Sequence, residues 1–191
     1  MTAERVRVLR AADRVAVPWK NGGGVTREIA CFPEGAGTDD FRWRVSLADV
    51  AADGPFSAFD GVDRILTVVE GAGMDLSVGG QQVLADERFA PHAFRGDVPT
   101  EGRLLDGPVV NLNVMHRRDS GHTAALVSVV RGGLPIVVPS ASSVLVVALT
   151  GEARLPSEGV TLGPLDAALV TDWPGVLTTD GHAAVITIRH V

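Results

Sequence analysis

Helical periodicity is nearly absent from this chain. In its place stand short alternating or β-branched runs, set apart by most of the 22 glycines and 11 prolines. Apolar residues at every second position mark half-buried strands, and Gly/Pro clusters between them mark turns. The runs fall at 41–47, 65–70, 74–78, 109–115, 124–130, 134–138, 144–149, 167–171 and 183–189. Such a pattern specifies an all-β sandwich or barrel. Residues 47–52, ending before Gly54-Pro55, are the one weak helical candidate. The loop Gly71-Ala72-Gly73, between two strand runs, reads as a hairpin turn with glycines free to take positive φ.

A length of 191 residues is enough for a large core or for two small ones. The single cysteine, Cys31, excludes an internal disulfide framework and reads as a small buried hydrophobe. A net charge of −6 argues against general nucleic-acid or acidic-membrane binding. No apolar run approaches the roughly 20 residues of a membrane span, and the charged start lacks a secretory core. These features lead us to expect a cytoplasmic protein. The charges are also unevenly placed: of forty charged side chains, thirty-two lie in residues 1–119. Polar chemistry is therefore expected in the first part of the chain. The second part is expected to pack a Val/Leu/Ile interior, with Leu145, Val147 and Leu149 facing inward.

The two parts repeat loosely. At an offset of about 80 residues, Leu66-Thr67-Val68-Val69-Glu70-Gly71 falls on Val146-Val147-Ala148-Leu149-Thr150-Gly151. The repeat suggests two similar barrels, over 1–119 and 120–191.

Candidate chemistry sits in three places. Trp19-Lys20-Asn21-Gly22-Gly23-Gly24-Val25-Thr26-Arg27-Glu28 carries three consecutive glycines, which imply unusual φ angles or close backbone approach. Flanked by Lys20 and Arg27, such a loop can cradle an anion, or it can be a plain turn with both cations solvated. The run 41–47 puts Arg42, Arg44 and Ser46 on one face and Phe41, Trp43, Val45 and Leu47 on the other. Arginine on a strand is by default solvated. In a barrel one face is a lumen, where a guanidinium suits a carboxylate. Arg64 can pair with Asp63 or point into the same space. Asn111, Asn113 and Met115 share one face of a later strand, and two mid-strand asparagines ask for a polar lumen. The five histidines, His92, His116, His122, His182 and His190, never pair at metal-ligand spacing, so no metal and no cofactor is expected.

Together these segments resemble the HutD/Ves family of bacterial proteins. The carrying motifs are Val17-Pro18-Trp19-Lys20-Asn21-Gly22-Gly23-Gly24-Val25-Thr26-Arg27-Glu28-Ile29 and Phe41-Arg42-Trp43-Arg44-Val45-Ser46-Leu47-Ala48. They continue with Gly54-Pro55-Phe56-Ser57-Ala58-Phe59-Asp60-Gly61-Val62-Asp63-Arg64 and Asn113-Val114-Met115-His116-Arg117-Arg118. Asp60 departs from the family, which often has proline at that turn position. The resemblance implies a cupin-type β-barrel with two cupin halves in one chain, a bicupin, and an association with histidine utilisation. It implies no established catalytic activity, and this chain lacks the histidine-containing metal motifs of catalytic cupins.

The expected function is a metal-free bicupin that binds a small carboxylate metabolite and modulates histidine utilisation or related catabolism. Its expected ligand-binding residues are Lys20, Asn21, Thr26, Arg27, Arg44, Ser46, Arg64, Asn113 and Met115. Arginine and lysine supply charge, Asn21, Ser46 and Asn113 hydrogen bonds, and Met115 an apolar wall. One rival is a metal-independent isomerase or lyase acting on a small acid, with Glu28, Glu70 or a histidine as acid or base. Another is a pure protein-interaction module. Exposed barrel edges make a homodimer the expected assembly.

Overall fold

The protein is described from a computed structural model covering residues 5–118, 124–171 and 173–189. Seventeen strands and no α-helix run along these described residues. In chain order they are β1 (Val6–Leu9), β2 (Ala16–Pro18), β3 (Gly24–Phe32), β4 (Trp43–Val50), β5 (Gly54–Pro55) and β6 (Val62–Glu70). Then come β7 (Met74–Val78), β8 (Gln81–Ala85), β9 (Pro91–Arg95), β10 (Thr100–Leu104) and β11 (Val109–Arg117). The last are β12 (Ala124–Val137), β13 (Ser142–Thr150), β14 (Ala153–Leu155), β15 (Val160–Leu162), β16 (Ala167–Val170) and β17 (Pro174–Arg189). They form two compact units, one over 15–121 and one over 122–191 together with 1–14. β1 belongs to the second because it pairs with β16, Val6 opposite Val170.

In the 15–121 unit, a six-stranded sheet ordered β2-β3-β4-β11-β6-β9 faces a four-stranded sheet ordered β5-β10-β7-β8. Ala48, Val50, Leu66, Val68 and Val109 of the first sheet pack against Met74, Leu76 and Ala85 of the second. Each large side chain so buried contributes about 1.5–3 kcal/mol. This cluster therefore joins the two sheets and fills one end of the space between them.

Three local expectations change. Residues 47–52 are not helical: β4 runs on to Val50, paired with Gly24 on one side and Val109 on the other. Cross-strand pairing on both edges overrides a weak propensity. Gly71 and Gly73 do take positive φ, 94° and 110°, but β6 and β7 do not form a hairpin. The chain changes sheets there, because β6 pairs with β11 and β9 while β7 pairs with β10 and β8. The glycines allow the close approach this requires, since a Cβ would lie 2.6 Å from Pro108 O at Gly71 and 2.4 Å from Ala85 O at Gly73. Phe41 leaves the alternation of Trp43, Val45 and Leu47. It precedes the strand and packs with Val62 and Met115.

In the second unit, β13 lies between β16 and β17 as β6 lies between β9 and β11. These two central strands, Val62–Glu70 and Ser142–Thr150, stand 80 residues apart in sequence, the offset of the repeat. Residues 124–138, read as two strands, form the single strand β12, bulged between Val130 and Gly132. Its core is apolar, as the paucity of charge there suggests, and includes Trp173, Leu155, Leu162 and Leu177. The inward residues of β13 are nevertheless Val144, Val146 and Ala148. Leu145, Val147 and Leu149 lie on the other face, which is also buried. Alternation between equally apolar faces carries no signal of which one points in.

Candidate functional site

The six-stranded sheet presents its inner face as cross-strand rows. One row runs Cys31, Arg44, Met115, Arg64, Phe94 across β3, β4, β11, β6 and β9. The next runs Glu28, Ser46, Asn113, Leu66, His92, and a third begins Thr26, Ala48, Asn111, Val68. Residues directly opposite each other in antiparallel strands share a face. Leu66, Ala48 and Val68 belong to the core between the two sheets, so all three rows face that lumen. Glu28 and Cys31, three apart, would normally face opposite ways. A bulge at Ile29 turns both inward.

Arg64 is the centre of this face. It is 7% exposed, and its guanidinium carbon lies 5.2, 5.4 and 5.9 Å from the ring centroids of Phe56, Phe94 and Phe59. Gly96 makes room for its stem, since a Cβ there would come within 3.2 Å of Arg64 Cγ and Cδ. Nε and Nη2 both donate to Asn113 Oδ1, at 3.4 and 3.3 Å, and Nη1 donates to Ser57 O at 3.5 Å. These are long contacts to neutral acceptors. Among the described residues no carboxylate pairs with Arg64, because Asp63 faces away and pairs with Arg118. Burial alone pulls the guanidinium down to about 10. A charge held in phenyl rings without a counter-ion is costly, and an incoming anion would relieve that cost.

Arg44, two strands from Arg64 across Met115, differs in one respect: its Nε lies 2.8 Å from Glu28 Oε2. Its charge is already matched. Cys31 completes this corner, its Sγ donating to Pro33 O at 3.4 Å, and burial followed by the Glu28 carboxylate pushes the thiol pKa up. A thiol so raised is a poor nucleophile.

The structure thus brings Arg44, Ser46, Arg64, Asn113 and Met115 together. It places the other expected residues elsewhere. Lys20 and Asn21 are exposed at the tip of the β2–β3 hairpin, where Gly22 N donates to Trp19 O and Gly23 N to Asn21 Oδ1, both at 3.0 Å. Two amides of the glycine-rich loop are therefore used within the turn rather than offered to an anion. Arg27 points to the opposite face, opposite Leu47, and pairs with Asp49. Thr26 faces inward, but its Oγ1 accepts the Trp19 Nε1–H at 2.7 Å. Asn111 shares the inner face and is buried.

Phe56, Phe59, Phe94 and His92 also stand in or beside this face, and none was among the expected ligand-binding residues. His92 stands beside Phe94 on β9, opposite Leu66, and its buried Nε2 has no hydrogen-bond partner among the described residues. The alternation Pro91-His92-Ala93-Phe94-Arg95 was the available signal, and in the structure only its even positions are partly buried. His122 and His190 lie outside the described residues. Among the described residues, no three His, Cys, Asp or Glu side chains gather as a metal site, and no helix is long and apolar enough to cross a membrane.

The family model for HutD matches residues 11–186. This chain belongs to the HutD family. It is 42% identical over 112 residues to an uncharacterized 21.2 kDa protein from the hutC 3′ region of Pseudomonas putida, covering 59% of this chain and 58% of that protein. It is also 42% identical over 102 residues to protein Ves of Citrobacter koseri, covering 53% of this chain and 52% of that one. The matches span just over half the length of these curated relatives. A solved structure of HutD from Pseudomonas fluorescens SBW25, in its formate condition, superposes with a TM-score of 0.85 at 35% identity, covering 96% of this chain and 98% of that one. The fold is the cupin type, with two cupin halves in the chain.

Proposed function

We propose that this HutD-family chain binds a small carboxylate metabolite in the lumen of the 15–121 unit, and that binding modulates histidine utilisation. The observation that carries the reading is Arg64: a buried guanidinium among three phenyl rings, with only long contacts to neutral oxygens. A carboxylate would supply the missing charge and take two parallel N–H bonds. Charge-assisted hydrogen bonds are worth roughly 1.5–3 kcal/mol each, so two or three of them with modest apolar burial give micromolar to millimolar affinity. The pathway assignment draws on the relative from the hutC 3′ region.

Calorimetry with formate, histidine, urocanate and N-formyl- or N-formimino-glutamate tests the reading. At least one of these should bind the wild-type protein and fail to bind Arg64→Gln. Silence from all of them at millimolar concentration would remove the carboxylate reading.

A further inference from the structure

The lumen beside Arg64 carries a second, hydrogen-bonding anchor, and it sets the kind of acid that fits. The row through Arg44 and Arg64 holds the arginine charges of this face. The next row toward the apolar cluster holds Ser46, Asn113 and His92, with Leu66 between the last two. Rows on one face of a strand repeat about every 6.6–6.8 Å, and diagonal neighbours such as Arg64 and His92 stand about 7–8 Å apart. His92 Nε2 is buried and unpartnered among the described residues, although it lies on the lumen face beside a ring that touches the Arg64 guanidinium. A buried polar atom left without a partner costs free energy, and a ligand reaching it would recover that cost.

We infer that the site takes a bifunctional small acid, whose carboxylate meets Arg64 and whose second, uncharged hydrogen-bonding group meets His92 Nε2. A second carboxylate is disfavoured, because Ser46, Asn113 and Leu66 beside His92 offer it no cation and Arg44 is already paired with Glu28. The second group is therefore an amide, a hydroxyl or a neutral heteroaromatic nitrogen. His92 is a specificity-determining residue in this scheme. The inference rests on the carboxylate reading and adds the second contact to it.

A pair of isosteric acids separates the two claims: succinamate, which ends in a primary amide, and 4-methylpentanoate, which has the same shape but ends in two methyl groups. By calorimetry the wild-type protein should bind succinamate about tenfold tighter, as expected where a buried polar atom discriminates against an apolar isostere. His92→Leu should bring succinamate down to the level of 4-methylpentanoate and leave the latter within about twofold. His92→Gln, which keeps a hydrogen-bonding amide, should retain part of the preference, and it is the deciding variant if thermal unfolding shows that His92→Leu does not fold. Equal binding of the two acids to wild type, or a preference that survives in His92→Leu, or its complete loss in a folded His92→Gln, overturns the inference while the carboxylate reading stands. Failure of both acids to bind wild type overturns the inference, and it takes the carboxylate reading with it only if formate, histidine, urocanate and the glutamate derivatives are silent too.

Discussion

Asn113 and Arg64 stand on adjacent strands, and one neutral oxygen, Asn113 Oδ1, accepts from both Nε and Nη2 of the guanidinium at 3.4 and 3.3 Å. A full charge thus faces half a dipole. Burial disfavours the charged form, while three phenyl faces return part of the loss at about 0.5–2 kcal/mol each. Arg64→Met keeps the stem packing and removes the charge. Most core substitutions destabilise by about 0.5–3 kcal/mol. This one should leave the thermal midpoint unchanged or raise it, while small-acid binding is lost. The pH dependence has a definite sign. Below about pH 10 both folded and unfolded chains hold the proton, and the whole penalty is present. Above it the folded chain sheds the proton first, so the advantage of Arg64→Met should shrink with rising pH. A loss of more than about 1 kcal/mol at neutral pH would show that the rings offset the charge unaided.

The glycine-rich motif makes two different demands on its glycines. Gly22 has φ +71° with nothing within 4 Å of a would-be Cβ, whereas at Gly24 a Cβ would lie 2.4 Å from Asp49 O and 3.0 Å from the Trp19 ring. Gly22→Ala should therefore cost about 1 kcal/mol, the conformational term alone. Gly24→Ala must push β3 away from β4 and should cost more than about 3 kcal/mol, read as a lowered urea midpoint. Equal costs for the two would show that close approach is not what the third glycine provides.

Asp97 links two arginines, donated to by Arg95 Nε at 3.0 Å and also by Arg118. The Arg95 hydrogen bond first, and Arg118 with it, hold its carboxyl down at about 2. A depressed carboxyl contributes stability that is complete above its ordinary range and is lost as pH falls through the folded value. The midpoint difference between wild type and Asp97→Asn should thus be constant from pH 5 to 7 and close between about pH 4 and 2. A difference that stays constant down to pH 2 would mean that the bridge does not persist in solution.

How much of this was legible depended on whether a local rule had a competitor. Trp43, Val45 and Leu47 alternate with Arg44 and Ser46 because that strand contrasts an apolar face with a polar one. The three glycines at 22–24 announced a turn and a close approach, and both are there. Residues 144–149 gave the strand but not its inward face, since β13 is apolar on both sides. The bulge at Ile29 was invisible because nothing in Glu28-Ile29-Ala30 distinguishes an extra residue. Arg44 and Arg64 looked alike in sequence. Only pairing across strands shows that Glu28 neutralises the first and that no described carboxylate reaches the second. His92 was a lone histidine in a short run, and its value comes from lying opposite Leu66.

Arg44 shares the lumen face with Arg64, and its charge alone would make it a direct ligand. Its ion pair with Glu28 means that Arg44→Ala does two things: it removes a cation and leaves an unmatched carboxylate facing the lumen. At about 10 Å and an effective dielectric of 20–40, such a carboxylate repels a bound acid by roughly 1–2 kcal/mol. Arg44→Ala should then weaken acid binding about five- to thirtyfold through Glu28 rather than through a lost contact. Adding Glu28→Gln should restore affinity to within about twofold of wild type, since the double variant removes both charges. The same Glu28→Gln change should not rescue Arg64→Gln, where the anchor itself is gone. Calorimetry on wild type and the four variants with one bound acid decides between the roles. If the double variant binds as weakly as Arg44→Ala alone, Arg44 touches the ligand, and the anion site is a two-arginine clamp across Met115.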